Sequence, residues 1–143
     1  MSSIVTCPGC GARNRVPDAA AGAPRCPRCK TPLPWVVDAT PGQFDRLVEG
    51  PLPVLVDFWA PWCGPCRMVG PAVEAAAAEL AGTLKVVRVN VDDLPDVAAR
   101  KGVQGIPTLI LLRSGAVADR QVGAVPKPAL MQWLRSQLDA RVA

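Results

Sequence analysis

Six cysteines fall as three C-x-x-C pairs in a chain that has no histidine, and this pattern constrains the molecule more than any other feature. The pairs are Cys7-Pro8-Gly9-Cys10, Cys26-Pro27-Arg28-Cys29 and Cys63-Gly64-Pro65-Cys66. Without histidine, Cys–His catalysis, histidine general bases and mixed Cys/His metal sites are all excluded. Fifteen residues separate the first two pairs. Each C-x-x-C makes a tight knuckle that points two sulfurs at one centre, and two knuckles supply four soft ligands in a tetrahedral set. Such a set suits Zn²⁺ and leaves no open position for catalysis. Cys7, Cys10, Cys26 and Cys29 are therefore the expected ligands of one structural zinc. A pair of disulfides and a metal-free redox relay are the rival readings, and a reducing compartment disfavours the first. Gly11 after the first pair permits a tight turn, whereas Lys30 after the second departs from that pattern.

The charge distribution follows the cysteines. Of 16 cations and 12 anions in the 143-residue chain, residues 1–30 hold five cations (Arg13, Arg15, Arg25, Arg28, Lys30) and one anion, Asp18. The remaining eleven cations and eleven anions balance. A zinc bound by four thiolates carries −2, so the excess reads as an offset for that cluster and not as a nucleic-acid surface. This N-terminal stretch lacks periodic apolar residues, so folding and metal binding are expected to be coupled. Lys30-Thr31-Pro32-Leu33-Pro34 is a stiff, Pro-rich connector, which sets the expected division at residues 1–32 and 33–143. No apolar run approaches the ~20 residues of a membrane span. Met1 to Thr6 is too short and polar for a signal core, and a cytosolic protein is expected.

From Trp35 onward strands and helices alternate. Val36–Asp38 reads as a short strand, and Thr40-Pro41 as the start of a helix running through Val48. Val54 to Ala60 is a nearly continuous apolar run, as expected of a central strand buried on both faces. A helix is expected from about Cys63 to Leu80, kinked at Pro71 and followed by Gly82. Val86–Val91 is a second buried strand and Leu94–Lys101 a short helix. Thr108–Arg113 and Ala116–Val122 form a hairpin across Ser114-Gly115. Pro126 opens a last helix, with Leu130, Trp133, Leu134 and Leu138 on one face. The order β-α-β-α-β-α-β-β-α implies an α/β fold with parallel pairing first and an antiparallel end. Val54, Val56, Phe58, Leu109 and Leu111 are core positions, and Trp59 is expected to be core as well.

The third cysteine pair differs in setting. Cys63 lies at a helix N-terminus, where free N–H groups and the macrodipole stabilise a thiolate. Cys66 follows one turn later, close enough to close a small disulfide ring. Cys63 is expected to be exposed and nucleophilic, and Cys66 to be covered and to resolve the mixed disulfide. No cysteine or histidine remains to complete a metal site here.

The segment from Val56 through Trp59-Ala60-Pro61-Trp62-Cys63-Gly64-Pro65-Cys66, with Ile106-Pro107-Thr108 and Gly123, resembles thioredoxin over about residues 35–143. With its four-cysteine segment the whole chain resembles the zinc-binding thioredoxin 2 subgroup of bacteria. That resemblance implies a thioredoxin fold, a central mixed sheet flanked by helices, behind a small zinc-binding domain. It also implies a protein dithiol–disulfide oxidoreductase, with Cys63 attacking, Cys66 resolving and Asp57 as the buried carboxylate that takes the Cys66 proton. A structural anion is the plainer reading of Asp57. Pro107 matches a cis-proline facing the disulfide, and Ile106 would pair with an extended substrate. Trp62, Gly64, Pro65, Ile106, Pro107, Val122 and Gly123 would form the docking rim. Arg88 stands where such proteins often place a lysine. The implied partners are disulfide-containing proteins and an NADPH-dependent thioredoxin reductase, with a monomer and no nucleic acid or membrane. The alternative is a zinc-regulated redox sensor or chaperone, because zinc-bound thiolates stay oxidisable and zinc loss would unfold the segment.

Overall fold

The computed structural model describes residues 2–19 and 22–139. Two short strands, β1 (Ser2–Thr6) and β2 (Arg13–Pro17), pair antiparallel around the first cysteine knuckle. The sequence reading has no strand here, because the alternation is short and its inner positions are only partly apolar. Val16 alone of β2 is buried, while Arg13, Arg15 and Pro17 face outward. The elements that follow are β3 (Val36–Asp38), α1 (Phe44–Leu47), β4 (Val54–Trp59), α2 (Gly64–Glu79), β5 (Lys85–Asn90), α3 (Pro95–Arg100), β6 (Thr108–Arg113), β7 (Ala116–Val122) and α4 (Lys127–Asp139). Their order matches the sequence reading. The first helix is shorter than expected, because Thr40 to Gln43 form a turn closed by the Gln43 Oε1 acceptor on both the Thr40 N–H and its hydroxyl. Regular helix starts only at Phe44, whose ring is buried.

The second sheet has the order β3-β5-β4-β6-β7. β3 and β4 run parallel to β5, whereas β6 is antiparallel to both β4 and β7. β4 is central and buried along most of its length, which explains its apolar run. One sheet face packs on α2 and α4 through Val69, Val73, Ala76, Leu109, Leu130 and Leu134. Fully burying side chains such as Val69 and Val73 contributes roughly 1.5–3 kcal/mol each. Pro71 lies inside α2 with its ring exposed, so the missing N–H costs the ladder one bond without intruding on the core. Trp133 half-buries against this layer and donates Nε1 to Asp119 at 2.8 Å.

The other face carries Val37, Val54, Val56, Phe58, Val87 and Ile110, and Cys7, Val16, Cys26, Leu33 and Trp35 belong to the same core. The N-terminal segment thus shares a core with the sheet, where the sequence suggested one that relies on metal alone. Lys85 fixes this junction. It is 2% exposed, donates Nζ to the Asp18 carbonyl at 2.7 Å and sits 4.3 Å from the centre of the Trp35 ring. Burial pushes its amine down to about 8, against the opposing pull of Asp18. Among the described residues no helix is long and apolar enough to cross a membrane.

Candidate functional site

β4 ends at Trp59, and the chain turns through Ala60-Pro61-Trp62 into α2 with Cys63 as N-cap. Extended backbone at Cys63 aims its sulfur back at the helix end, where Sγ accepts the Cys66 N–H at 3.2 Å. An N-terminal amide aimed at sulfur stabilises the thiolate over the thiol. Cys66 lies three residues on, with its Cα 5.3 Å from that of Cys63, and the two sulfurs are joined as a disulfide. Pro65, in the first turn, needs no N–H there.

Exposure differs from the sequence expectation. Cys63 is 4% exposed and Cys66 3%. Cys63 is not the open member of the pair in the disulfide state, because its sulfur folds back as the cap. Trp59, Val91 and Ile106 also pack around the small cluster it forms with Ala60 and Cys66. The outward residues at the turn are Pro61, Trp62, Gly64 and Pro65.

Asp57 sits on β4 in register with Arg88 of β5 and Leu109 of β6. Arg88 Nε reaches Asp57 Oδ2 at 3.2 Å, so the arginine engages the carboxylate. Asp57 Oδ1 has no hydrogen-bond partner. Burial drives the carboxyl pKa up from the ordinary range, and Arg88 opposes this through its charge and hydrogen bond. The Arg88 guanidinium also stacks 4.7 Å from the centre of the Trp59 ring. Trp59 is thus half-buried and placed between Arg88 and the cysteines, a contact the sequence could not signal. A cavity of about 290 Å³ opens beside Cys66, Gly70, Glu74 and Arg88.

The remaining rim positions converge unevenly. The Ile106–Pro107 bond is cis, as the resemblance implies. Pro107 itself is buried and Ile106 half-buried, while Trp62 and Val122 are each 69% exposed. Gly123 takes φ +102 and donates its N–H to the Pro107 carbonyl at 2.9 Å, which joins the end of β7 to the cis turn. A Cβ on Gly64 would meet nothing within 4 Å, so local packing does not require glycine there. Trp62, Val91, Ala98, Val103 and Ile106 line an adjoining cavity of about 390 Å³. Sequence reasoning missed Asp92, whose carboxylate accepts Trp62 Nε1 at 3.1 Å; nothing local to Asp92 could have signalled it.

The four N-terminal cysteines come together with all sulfurs within 4.8 Å of one another, positioned to hold a metal ion. None of them is in a disulfide. The two knuckles are built alike. Gly11 N–H bonds the Cys7 carbonyl at 2.9 Å, and Lys30 N–H bonds the Cys26 carbonyl at 2.7 Å. Gly11 takes φ +77 and Lys30 takes φ +66. Lys30 therefore does not break the pattern; it accepts the left-handed conformation at a small steric cost. The Thr31 hydroxyl and backbone amide lower the Cys29 thiol to about 6, while at Cys10, against the Ala12 backbone, burial and the neighbouring sulfurs raise the thiol to about 11.

A sequence profile of the family described as Thioredoxin matches residues 35–136. Among curated proteins, a thioredoxin of Porphyra purpurea is 50% identical over 104 residues, covering 72% of this chain and 97% of that protein. Thioredoxin 1 of a Nostoc species is 50% identical over 103 residues, covering 72% and 94%. A thioredoxin of Haemophilus influenzae is 46% identical over 92 residues, covering 64% and 86%. The profile match begins after the four-cysteine segment.

Proposed function

The chain belongs to the thioredoxin family and is a protein-disulfide oxidoreductase, and from that premise we propose that it works as a reductase of protein disulfides. Cys63 is the attacking thiolate. It bonds one substrate sulfur, the substrate S–S bond breaks, and the second substrate sulfur leaves as a thiol after taking a proton. Cys66 then gives its proton to Asp57 and attacks Cys63 Sγ. The mixed disulfide breaks, the substrate leaves fully reduced, and the enzyme holds the Cys63–Cys66 disulfide. Two electrons have passed to the substrate, and a thioredoxin reductase drawing on NADPH restores the dithiol. Trp62, Gly64, Pro65, Ile106, Pro107, Val122 and Gly123 form the surface on which an extended substrate segment docks, with the Ile106 backbone as its pairing strand.

The observation that carries this reading is Cys63 at the α2 N-cap with its sulfur on the Cys66 N–H. Insulin reduction with reductase and NADPH tests it. Cys63→Ser is expected to lose all activity, and Cys66→Ser to accumulate mixed disulfides with substrate. Full activity in Cys63→Ser would overturn the mechanism.

We further assign the N-terminal cysteines to one Zn²⁺, with residues 1–32 as its domain and 33–143 as the catalytic one. The chemistry fits. Metal–sulfur bonds of about 2.3 Å in a tetrahedron place sulfurs about 3.8 Å apart, and the Cys7–Cys29 and Cys10–Cys26 sulfurs stand at 3.4 and 3.7 Å. Bound zinc would supply a cross-link and no reactive position, since all four ligands are protein thiolates. Cytosolic residence follows from the reducing role and from thiolates kept free of disulfides. A zinc-regulated redox sensor or chaperone is the second reading, favoured by the exposure of Cys29.

A further inference from the structure

Among the described residues no carboxylate pairs with the cations of the N-terminal segment. Arg13 and Arg15 project from the outer face of β2, and Arg25 meets them across a concave groove of about 510 Å³ floored by Pro17, Pro24 and Leu33. Among the described residues Arg25 donates to the neutral Lys30 carbonyl and Arg15 to the Ser2 hydroxyl. Among the described residues the ion pairs are Arg88–Asp57, Arg100–Asp45 and Lys127–Glu79, so none involves these three arginines. Asp18, the sole acid of residues 1–30, cannot neutralise them. It is 6% exposed, accepts the Ser3 hydroxyl at 2.9 Å and lies at the Lys85 junction. Nor does the metal–thiolate charge account for all the cations. Arg25, Arg28 and Lys30 lie within or beside the second knuckle, whereas Arg13 and Arg15 stand on β2 and face Arg25 across the groove.

Three guanidinium groups over a floor of proline and leucine match a chain that carries both carboxylates and apolar side chains. No aromatic residue lines the groove, so it lacks the stacking platform that single-stranded nucleic acid uses. We propose that this groove is a docking site for an acidic, partly apolar segment of the disulfide-bearing proteins that the enzyme reduces. The proposal deepens the reductase reading and rests on it, since that reading makes proteins the substrates. The groove acts as a second point of attachment at the strand end that carries Lys85 and Trp35, away from the Trp62 rim, so a substrate must span both, and it selects acidic substrates by raising encounter rate and local concentration.

The test uses the full-length, metal-loaded protein and a fluorescein-labelled peptide of alternating Glu and Leu, with a Gln-for-Glu peptide as control. Binding is read by anisotropy over a range of salt. The Glu peptide is expected to bind more tightly than the Gln peptide and to weaken as salt rises. Arg13→Glu with Arg15→Glu is expected to weaken it at least about tenfold and flatten the salt dependence. The same variant is expected to reduce a small aromatic disulfide at the wild-type rate and to keep the Tm of the metal-loaded wild type, which together show that both parts are folded. In reduction assays, KM should rise only for a disulfide protein carrying the Glu-rich segment, with kcat kept. Equal affinity for the two peptides, no effect of the charge reversal, or tighter binding of oligo(dT) than of the Glu peptide would each overturn the proposal. Loss of small-disulfide reduction in the wild type would instead overturn the reductase reading and leave the binding result standing.

Discussion

Asp57 has one oxygen on Arg88 and the other without a hydrogen-bond partner, in a strand covered on both faces. A carboxyl whose pKa is raised by burial can take a proton that an exposed one would refuse. Asp57→Asn keeps the shape and removes that capacity. Insulin reduction should slow by about a hundredfold, the low end of what a positioned proton acceptor supplies, with the deficit largest near neutral pH. A flat pH response would leave Asp57 a structural role only. The linkage has a definite sign. Folded Asp57 holds its proton to higher pH than the unfolded chain does, so stability falls as pH rises from the ordinary carboxylate range through the raised value. Urea midpoints measured against pH should therefore show Asp57→Asn gaining on the wild type across that window. Asp57 was legible as a candidate through the resemblance, on a strand that the apolar run marks as buried. Its partner Arg88 was legible only through the resemblance, since β4–β5 register is a tertiary fact.

The end of α2 shows how one element holds another. Gly82 takes φ +89, and a Cβ there would meet Pro32 at 3.3 Å. Gly42 takes φ +81 with nothing within 4 Å. Alanine at either site carries the left-handed penalty of about 1–2 kcal/mol, but only Gly82→Ala also presses on the connector. Urea unfolding should therefore show Gly82→Ala losing more stability than Gly42→Ala. Equal losses would mean that the connector yields freely. The helices and strands from Val36 onward were readable because period and punctuation agree. β1 and β2 were not, because their inner positions include Asn14 and Ser3 and their pairing is fixed by the cysteine knuckle between them. The start of α1 was misplaced for a local reason: Gln43 satisfies Thr40 in a turn before the helix begins.

At the scale of the molecule, the cysteine segment packs its buried side chains into the same core as the sheet. Cys7 and Cys26 are buried with Leu33 and Trp35, and Lys85 is enclosed between Trp35 and the Asp18 carbonyl. Chelating the metal should therefore reach beyond its ligands. A strong chelator at neutral pH is expected to lower Tm of the whole chain by at least about 5 °C and to change the tryptophan near-ultraviolet signal from Trp35. A metal-free protein with an unchanged Tm would show that the segment packs without its ion. Small-disulfide reduction measured alongside separates the readings: activity kept means a structural metal, and activity lost with the metal favours a regulatory one.

The amino-acid order alone determined which sulfurs sit together within each C-x-x-C, because that spacing is local geometry, while the fold brought the first two pairs to one centre. It also determined the run of strands and helices from residue 35, through apolar period and the placement of proline and glycine. Only the folded chain decided that Arg88 reaches Asp57, that Lys85 is buried at a junction, and that three arginines share a groove. Each of these depends on residues far apart in sequence meeting across strand register or a packed face, and charge or exposure is set by that meeting.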